Sequence, residues 1–593
     1  MEITKGYLLP LREKMLAAGM DAWIVPMGDY HGSEYLSPYF KTIRFLTGFT
    51  GSAGTLAVTK DRTGFWTDGR YYIQAAAELE GSGITMMPAG LPQTPTLEAF
   101  LREELPEGAA VGFDGAVVTV QEAERWQKAL EDKHISFRTE QDLAGELWTD
   151  RPPQVFHPLR LIQPALYAAD SAEKLRMLRA DMKKAGAEAH ILTSLDDIAW
   201  LMNARGSDVA FSPVFFAFLL VTEEKAELFC REEAVPEEAR KLWETQGFTL
   251  RPYECFQAAV AALQAESLLL DPSRVSCGAF NALPDTVRCI KAANPTTLRK
   301  MVKDSAECLA LRESHRRDGI AMVKFLYWLK NEADIASLSE TDAAAKLDGL
   351  RREAGAYDLS FETIAAFGEN AALCHYRPEP GCCAALAPRG FLLVDSGGLY
   401  DTGTTDITRT IVLGPLSDAE KQAYTAVLRG HLRLQAARFP KGVTGQNLDA
   451  LAREPLWALG MDFRHGTGHG VGFQLNVHEG PNAFRWQGTG PAIVPGTVTT
   501  DEPGYYEEGA YGVRIENELL CVEKETTPWG CFYGFEPLTL CPIDTEPVLR
   551  EAMDASEIAE LNRYHAGVYE ALKDEPAFSP EEREWLRGAT RPL

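Results

Sequence analysis

The sequence has no apolar run long enough to cross a bilayer. Its longest strongly apolar stretch, VFFAFLLV at positions 214–221, is far shorter than the ~20 residues that a transmembrane helix needs. Residues 1–19 carry early charges and no unbroken apolar core, so we expect no signal peptide there. These two absences predict a soluble protein rather than a membrane-embedded or secreted one.

Paired cysteines and an excess of positive charge are also lacking. The eleven cysteines show no CxxC spacing, which argues against a zinc ribbon and a disulfide framework and favours a cytoplasmic location. The 59 lysines and arginines are outnumbered by 85 aspartates and glutamates. The resulting charge of −26 argues against nucleic acid or an anionic membrane as the main partner.

An internal repeat divides the N-terminal half of the chain. The segment LREKMLAAGMDAWIV at 11–25 returns as LRADMKKAGAEAHIL at 178–192. Each copy has the pattern of an amphipathic helix that ends at a glycine, Gly19 or Gly186, and is followed by an apolar strand. Because 593 residues are too many for one core, we predict two related α/β domains in this half.

A third domain is predicted to begin at Asp304. Asp304 and Glu307 have the spacing of a capping box, and apolar residues at 322, 325, 326 and 329 follow the stripe of a packed helix. Pro152–Pro153 and Asn294–Pro295 mark extended or turn segments between domains. The expected domains are therefore 1–155, 156–303 and 304–593.

A glycine-rich stretch holds three of the eleven histidines. HGTGHGVGFQLNVHEGP at 465–481 contains His465, His469 and His478. The spacing of the first two fits one helical face, but each glycine in a helix interior costs about 1 kcal/mol relative to alanine. We therefore predict a loop or an irregular strand, in which glycine lets the backbone approach a neighbour closely.

Four carboxylates in the third domain form a candidate metal site. Asp395 and Asp406 flank a glycine-rich turn between apolar strands, so we expect them to meet across a hairpin. Glu502 follows a β-branched run, and Glu516 is expected in the middle of an apolar strand, where unpaired burial would be costly. Turn formation is the alternative role for the first three. With one histidine, the four acids suit two divalent ions, Mn²⁺ above Co²⁺ or Zn²⁺.

The order of these residues resembles one enzyme family. The sequence matches the five-ligand pattern of pita-bread metallopeptidases. That pattern is an Asp, a second Asp eleven residues on, HGTGHGVG, EPG, and a Glu fourteen residues after the EPG glutamate. Within that group of methionine aminopeptidases, prolidases and creatinases, GSAGTLAVT, WTDGRYYIQAA and LNVHEGP resemble the three-domain, cytosolic Xaa-Pro aminopeptidases (aminopeptidase P). The resemblance covers essentially the whole chain. It implies an α/β (α+β) protein, with two related creatinase-N-like α/β domains followed by a C-terminal pita-bread catalytic domain.

The resemblance also implies a function and a set of site residues. The reaction would be removal of an N-terminal residue that precedes proline, by a hydroxide bridging two divalent ions, and the enzyme would be a homodimer. The implied metal ligands are Asp395, Asp406, His469, Glu502 and Glu516. The implied catalytic residues are Glu502, His478 and His375. The implied substrate contacts are Arg70, His375, His469, His478 and Arg514.

Other interpretations of the same residues remain open. A prolidase would need a cation for the carboxylate of an Xaa-Pro dipeptide, and the large N-terminal half favours longer substrates. A metal-free creatinase-like amidinohydrolase, or a pita-bread module that only binds proteins, is disfavoured because all five ligand positions are filled. For Arg70 the alternative is a salt bridge with Asp68. His465 is expected to be a hydrogen-bonded neighbour of the metal site rather than a ligand.

Overall fold

The computed structural model describes residues 6–593, which divide into two compact units. The first contains residues 6–162 and Ala169–Thr296, and the second contains Gln163–Ala168 and Thr297–Leu593. Part of the segment considered above as a signal peptide, residues 1–5, lies outside the described range. Within residues 6–593, no helix combines the length and the apolar character that a membrane span requires.

Two six-stranded sheets form the framework of the first unit. Its strands are β1 (Ala22–Pro26), β2 (Thr55–Thr59), β3 (Thr63–Thr67), β4 (Thr85–Pro88), β5 (Ala110–Phe113), β6 (Ser136–Arg138), β7 (Arg160–Leu161), β8 (Ala189–Leu192), β9 (Ala204–Arg205), β10 (Ala217–Thr222), β11 (Ala226–Cys230), β12 (Thr249–Pro252), β13 (Ser267–Leu270) and β14 (Arg288–Lys291). The sheet orders are β4-β3-β2-β1-β5-β6 and β12-β11-β10-β8-β13-β14. The two central strands, β1 and β8, each pair antiparallel on one side and parallel on the other. The matching orders confirm the predicted repeat of two related α/β folds.

Short helices connect and cover these sheets. They are α1 (Leu8–Ala17), α2 (Thr42–Thr47), α3 (Tyr72–Glu78), α4 (Leu97–Glu104), α5 (Val120–Ala129), α6 (Leu143–Leu147), α7 (Ser171–Ala185), α8 (Leu195–Leu201), α9 (Glu237–Thr245), α10 (Phe256–Ala261) and α11 (Cys277–Asn281). Gly186 caps α7 with φ 72°, as predicted. The first copy differs by one residue, because Ala18 caps α1 and Gly19 follows it with φ 72°. The division between the two units falls inside α12 (Pro295–Met301).

A long helix opens the main part of the second unit. Helix α13 (Ser305–Tyr327) begins with the predicted capping box, in which Asp304 accepts from the Glu307 backbone and the Glu307 carboxylate accepts from the Asp304 N–H. The predicted apolar stripe is buried, and it packs on strand residues such as Leu392 and Ile411. The predicted start of this helix is therefore confirmed, and the three-domain division of the chain stays a prediction.

The second unit contains several small sheets, and the four predicted metal-binding acids lie on or next to their strands. Its strands are β15 (Asp358–Leu359), β16 (Ile364–Phe367), β17 (Phe391–Ser396), β18 (Gly398–Tyr400), β19 (Gly403–Thr404), β20 (Ile407–Val412), β21 (Arg438–Pro440), β22 (Gly468–His469), β23 (Ala483–Phe484), β24 (Val498–Asp501), β25 (Gly504–Glu507), β26 (Tyr511–Arg514), β27 (Asn517–Thr527) and β28 (Gly530–Pro537). Its remaining helices are α14 (Glu340–Glu353), α15 (Asp418–Gln435), α16 (Gly445–Trp457), α17 (Ala555–Leu572) and α18 (Pro580–Ala589). The sheet orders are β15-β18-β19, β16-β17-β20, β21-β28-β27-β24, β22-β23 and β25-β26.

Candidate metal centre

Asp395 and Asp406 lie on neighbouring strands, as the sequence predicted. Asp395 is in β17, and Asp406 immediately precedes β20, which pairs antiparallel with β17. In this register Asp395 lies opposite Thr408. A small additional hairpin, β18–β19, occupies the segment between the two aspartates. The turn alternative therefore fails for both, since neither aspartate is within a tight turn.

The two glutamates meet across a second strand pair. Asp501 of β24 is paired with Asn517 of β27, so Glu502 and Glu516 are at adjacent ends of these strands. The expectation that Glu516 lies in the middle of a strand is wrong, because Glu516 falls between β26 and β27. This break lets its backbone N–H donate to the Thr408 carbonyl at 3.1 Å, which ties Glu516 to the strand after Asp406.

The glycine-rich stretch places His469 beside these acids. It is loop apart from the two-residue strand β22, as predicted. A Cβ on Gly468 would lie only 1.8 Å from the Thr500 carbonyl oxygen, so only glycine permits this approach to β24. The Nε2 atom of His469 is consequently 3.4 Å from Asp406 Oδ2 and 3.6 Å from Glu502 Oε1.

The resulting cluster has the chemistry of a cation site. Ligand atoms of Asp406, His469 and Glu516 all lie within 4.8 Å of one another. Within residues 6–593, the buried Oδ1 atoms of Asp395 and Asp406 have no hydrogen-bond donor in the protein. A buried carboxylate oxygen without a donor is costly, and neighbouring carboxylates repel each other unless a proton or a cation lies between them. These residues therefore fit one or more divalent ions, and the donor set of oxygens plus one imidazole suits Mn²⁺, Co²⁺ or Zn²⁺.

The protonation behaviour of the cluster reflects the same crowding. Burial raises the pKa of Glu502 to about 7, opposed by His469 and Arg514 and reinforced by the charges of Asp406 and Asp395. Burial and the same acidic neighbours raise the pKa of Glu516 well above its ordinary value. Burial disfavours the charged form of His469, but the Asp406 hydrogen bond and the Glu502 charge raise its pKa to about 9. Without a cation, the site retains protons that a metal would displace.

Arg514 is a permanently charged group that contacts an acid of this cluster directly. Its Nη2 donates to Asp395 Oδ2 at 2.6 Å, and its Nη1 donates to the Tyr506 hydroxyl at 2.7 Å. The Tyr506 hydroxyl in turn is 2.8 Å from Nε2 of His465, so His465 is a hydrogen-bonded neighbour as expected. Arg514 is almost fully buried, and its predicted contact with substrate stays a prediction.

The other predicted substrate residues occupy different settings. The ring of His478 is 4.3 Å from that of His469, nearly perpendicular to it. His375 follows Cys374, whose carbonyl is 3.5 Å from Nη2 of Arg514. Arg70 lies in the first unit and forms a two-point ion pair with Asp68, at 2.9 and 2.8 Å. The salt bridge expected as the alternative for Arg70 is therefore present, and its contact with substrate stays a prediction.

One supporting residue could have been found from the sequence and was not. Thr408 donates its hydroxyl to Glu516 Oε2 at 2.8 Å and accepts from Arg514 Nε at 3.2 Å. It is two residues after Asp406, and alternation along a strand places such residues on the same face. The Arg514–Asp395 ion pair carries no comparable signal, because 119 positions separate the two residues.

Comparison with known proteins identifies the family. Residues 310–523 match metallopeptidase family M24, 531–593 match the C-terminal region of peptidase M24, and 8–141 and 150–307 each match a creatinase/prolidase N-terminal domain. The chain is 37% identical to aminopeptidase P1 of Arabidopsis thaliana over 97% of each chain. The chain belongs to the aminopeptidase P family.

Two further relatives support this membership of the aminopeptidase P family. The probable Xaa-Pro aminopeptidase P of Talaromyces marneffei is 38% identical over 100% of this chain and 92% of its own. The structure matches the X-prolyl aminopeptidase of Caenorhabditis elegans, a cytosolic enzyme with a di-nuclear active site, with a TM-score of 0.93. That match has 32% identity and covers 99% of this chain and 100% of the other. The predicted fold class, two creatinase-N-like domains followed by a pita-bread metallopeptidase domain, is thereby confirmed.

Proposed function

We propose that this aminopeptidase P family protein removes the N-terminal residue from peptides whose second residue is proline. One observation carries the proposal: Asp406, His469 and Glu516 converge in a buried cluster with Glu502 beside them. The full-length similarity to proteins named aminopeptidase P supports the same substrate class.

The metal ligands in this proposal are the four acids and the one histidine of the cluster. Asp406 and Glu516 would serve both of two ions, His469 and Glu502 one, and Asp395 the other. Mn²⁺ is the proposed metal, because carboxylate oxygens outnumber the single imidazole nitrogen. Bound divalent ions would polarise the scissile carbonyl and acidify water near neutral pH.

The chain's own residues move protons and stabilise charge around that chemistry. Glu502 would take a proton from the attacking water and pass it to the leaving nitrogen of proline. His478, next to His469, and His375 would donate hydrogen bonds to substrate carbonyl oxygens as negative charge develops. Arg70 and Arg514 are the proposed further substrate contacts.

A short peptide series tests the proposal. The Mn²⁺-loaded protein should cleave Xaa-Pro-Yaa after Xaa, and the Xaa-Ala-Yaa analogue should react at least about a hundredfold more slowly, because contacts to the proline ring are lost. Cleavage of the Xaa-Pro dipeptide alone would identify a prolidase instead. Equal rates for the proline and alanine peptides would contradict the proposed specificity.

The cellular setting is part of the same proposal. All eleven cysteines are free thiols, and the Caenorhabditis elegans relative is cytosolic, which together support a cytoplasmic location. A homodimer is supported by large apolar side chains left exposed around the end of α16, Trp457 at 45% and Leu459 at 42%. Light scattering that gives a monomer mass at micromolar concentration would rule out the dimer. The proposed domains of the chain are residues 1–155, 156–303 and 304–593.

A further inference from the structure

One buried carboxylate closes the neck of the loop that carries His375. Glu340, the first residue of α14, is 0% exposed. Its Oε1 accepts from the backbone N–H of Phe367 at 2.7 Å, and its Oε2 accepts from the backbone N–H of Ala384 at 2.7 Å. Because β16 ends at Phe367 and the chain returns at Ala384, a single side chain joins the two ends of the loop 368–383.

Two side chains within the loop bind the same carboxylate. Asn370 donates its amide N–H groups at 3.0 Å to Oε1 and 3.1 Å to Oε2 of Glu340. The Tyr376 hydroxyl donates to Oε2 at 2.6 Å and also accepts from the Asn370 amide at 3.1 Å. Tyr376 directly follows His375 in the chain, so hydrogen bonds to Glu340 hold the loop on both sides of this histidine.

The base of the loop is fitted against the strand that leads to the metal ligands. A Cβ on Gly512, in β26, would lie 1.8 Å from the carbonyl oxygen of Ala371. Two residues further along β26, Arg514 contacts both the Cys374 carbonyl and Asp395. A displacement of the loop would therefore move His375 relative to the acidic cluster.

Helix capping alone does not explain the burial of Glu340. Ser339 and Asp342 already form the capping box of α14, and an acid in the first turn would interact with the helix dipole equally well at the surface. A buried carboxylate is tolerated only when its oxygens are hydrogen-bonded. Among residues 6–593, the donors to Glu340 all come from residues 367–384. The carboxylate is thus matched to the loop rather than to its own helix.

We propose that Glu340 is a positioning residue that holds His375 in place for the reaction. The proposal rests on the proposed function only through the role given there to His375. Its structural part, that Glu340 keeps the neck of the loop 368–383 closed, is independent of which peptide is cleaved.

Glu340→Gln is the direct test. Glutamine keeps the shape but has one acceptor oxygen, so in either orientation its NH₂ group would face a backbone N–H donor, that of Phe367 or that of Ala384. We expect kcat on an Xaa-Pro-Yaa peptide to fall about 10- to 100-fold, because a small misplacement of a group at the reacting centre has effects of this size. Bound metal and KM should change little. Glu353→Gln, at the exposed other end of the same helix, is the matched control and should keep kcat within about twofold of wild type.

A double-mutant cycle with His375→Ala separates positioning from general damage. If Glu340 acts through His375, Glu340→Gln should cause no further loss of kcat in the His375→Ala background. An equal loss in both backgrounds, or an unchanged kcat in the single variant, would overturn the proposal. If Glu340→Gln does not fold, Tyr376→Phe takes its place, because it removes the hydrogen bond to Glu340 that is nearest His375. The kcat of Tyr376→Phe is then compared in the wild-type and His375→Ala backgrounds, and the same outcomes support or overturn the proposal.

Hydrogen exchange gives a readout that does not depend on activity. The Phe367 and Ala384 amides should exchange faster in Glu340→Gln than in wild type or in Glu353→Gln, since both N–H groups donate to Glu340. Unchanged exchange would overturn the proposal. A wild-type protein that leaves Xaa-Pro-Yaa peptides intact would instead contradict the proposed function, and the exchange result would still decide whether Glu340 holds the loop.

Discussion

Replacing Thr408 by valine should weaken metal binding without changing the ligands themselves. The Thr408 hydroxyl donates to Glu516 Oε2 at 2.8 Å and accepts from Arg514 Nε at 3.2 Å. Thr408 is completely buried, and valine has nearly the same shape. The substitution therefore removes one donor to a proposed bridging carboxylate and leaves the packing of β20 in place.

The size of the effect on metal affinity follows from the hydrogen bond that Thr408 donates to Glu516. Hydrogen bonds to charged groups contribute about 1.5–3 kcal/mol, and about 1.4 kcal/mol corresponds to tenfold in affinity. Loss of the donor also leaves Glu516 free to rotate away from the position in which it would bind metal. We expect Mn²⁺ affinity to fall by roughly 10- to 100-fold, the usual range for groups that orient metal ligands.

Calorimetric titration of Mn²⁺ into metal-free protein measures this change. Thr410→Val is the matched control, because Thr410 is equally buried on the same strand but its hydroxyl donates to the backbone carbonyl of Arg514 at 2.8 Å. The control should bind Mn²⁺ within about threefold of wild type, and saturating Mn²⁺ should restore much of the kcat of Thr408→Val. Equal affinities for wild type and Thr408→Val, or equal losses in both variants, would refute the reasoning.

Three further predictions concern the same unit. Asp406→Asn should lose both ions and nearly all peptidase activity, and a variant that retains two ions by elemental analysis would show the ligand assignment to be wrong. His478→Ala should lower kcat by roughly 10²–10³ with metal content unchanged, as expected for loss of one donor to a developing oxyanion. If the variant lost bound metal, His478 would instead be a metal ligand. Burial tends to raise the pKa of Asp318, but Arg351, 2.8 Å away, holds that pKa below its ordinary value. The ion pair therefore stabilises the fold above about pH 4, and this stabilisation is lost as the pH falls further. Thermal unfolding of Asp318→Asn at pH 6 and pH 3.5 should therefore show a smaller pH dependence than wild type, and an equal dependence would count against this role.

Local patterns were sufficient to predict much of the fold. The capping box at Asp304 and Glu307 involves two residues three apart, so the start of α13 could be predicted from the sequence. The glycines around His469 excluded a helix, because each glycine in a helix interior lowers helix stability wherever it occurs in the sequence. The repeated helix-glycine-strand pattern likewise predicted two related sheets, since it recurs as a whole along the chain.

Long-range contacts account for what the sequence did not reveal. Val513, Ile515 and Leu519 near Glu516 in the sequence suggest a continuous apolar strand. The backbone hydrogen bond from Glu516 to Thr408, however, occurs at a break between β26 and β27. Glu340 looks like an ordinary acid in the first turn of a helix, and its donors are 27 to 44 positions away. Whether such groups meet depends on how separate strands and loops pack, and no local pattern encodes it.

The ion pair between Arg514 and Asp395 has a consequence for the charge balance of the site. The four carboxylates carry four negative charges when ionised, and the guanidinium cancels one of them. Two dications would then exceed the remaining negative charge by one unit, and the hydroxide of the proposed reaction would cancel that unit. Without Arg514 the same ions, acids and hydroxide would carry a net charge of −1. Arg514 would thus keep the site from being negative before a peptide carbonyl, whose oxygen gains negative charge during hydrolysis, enters it.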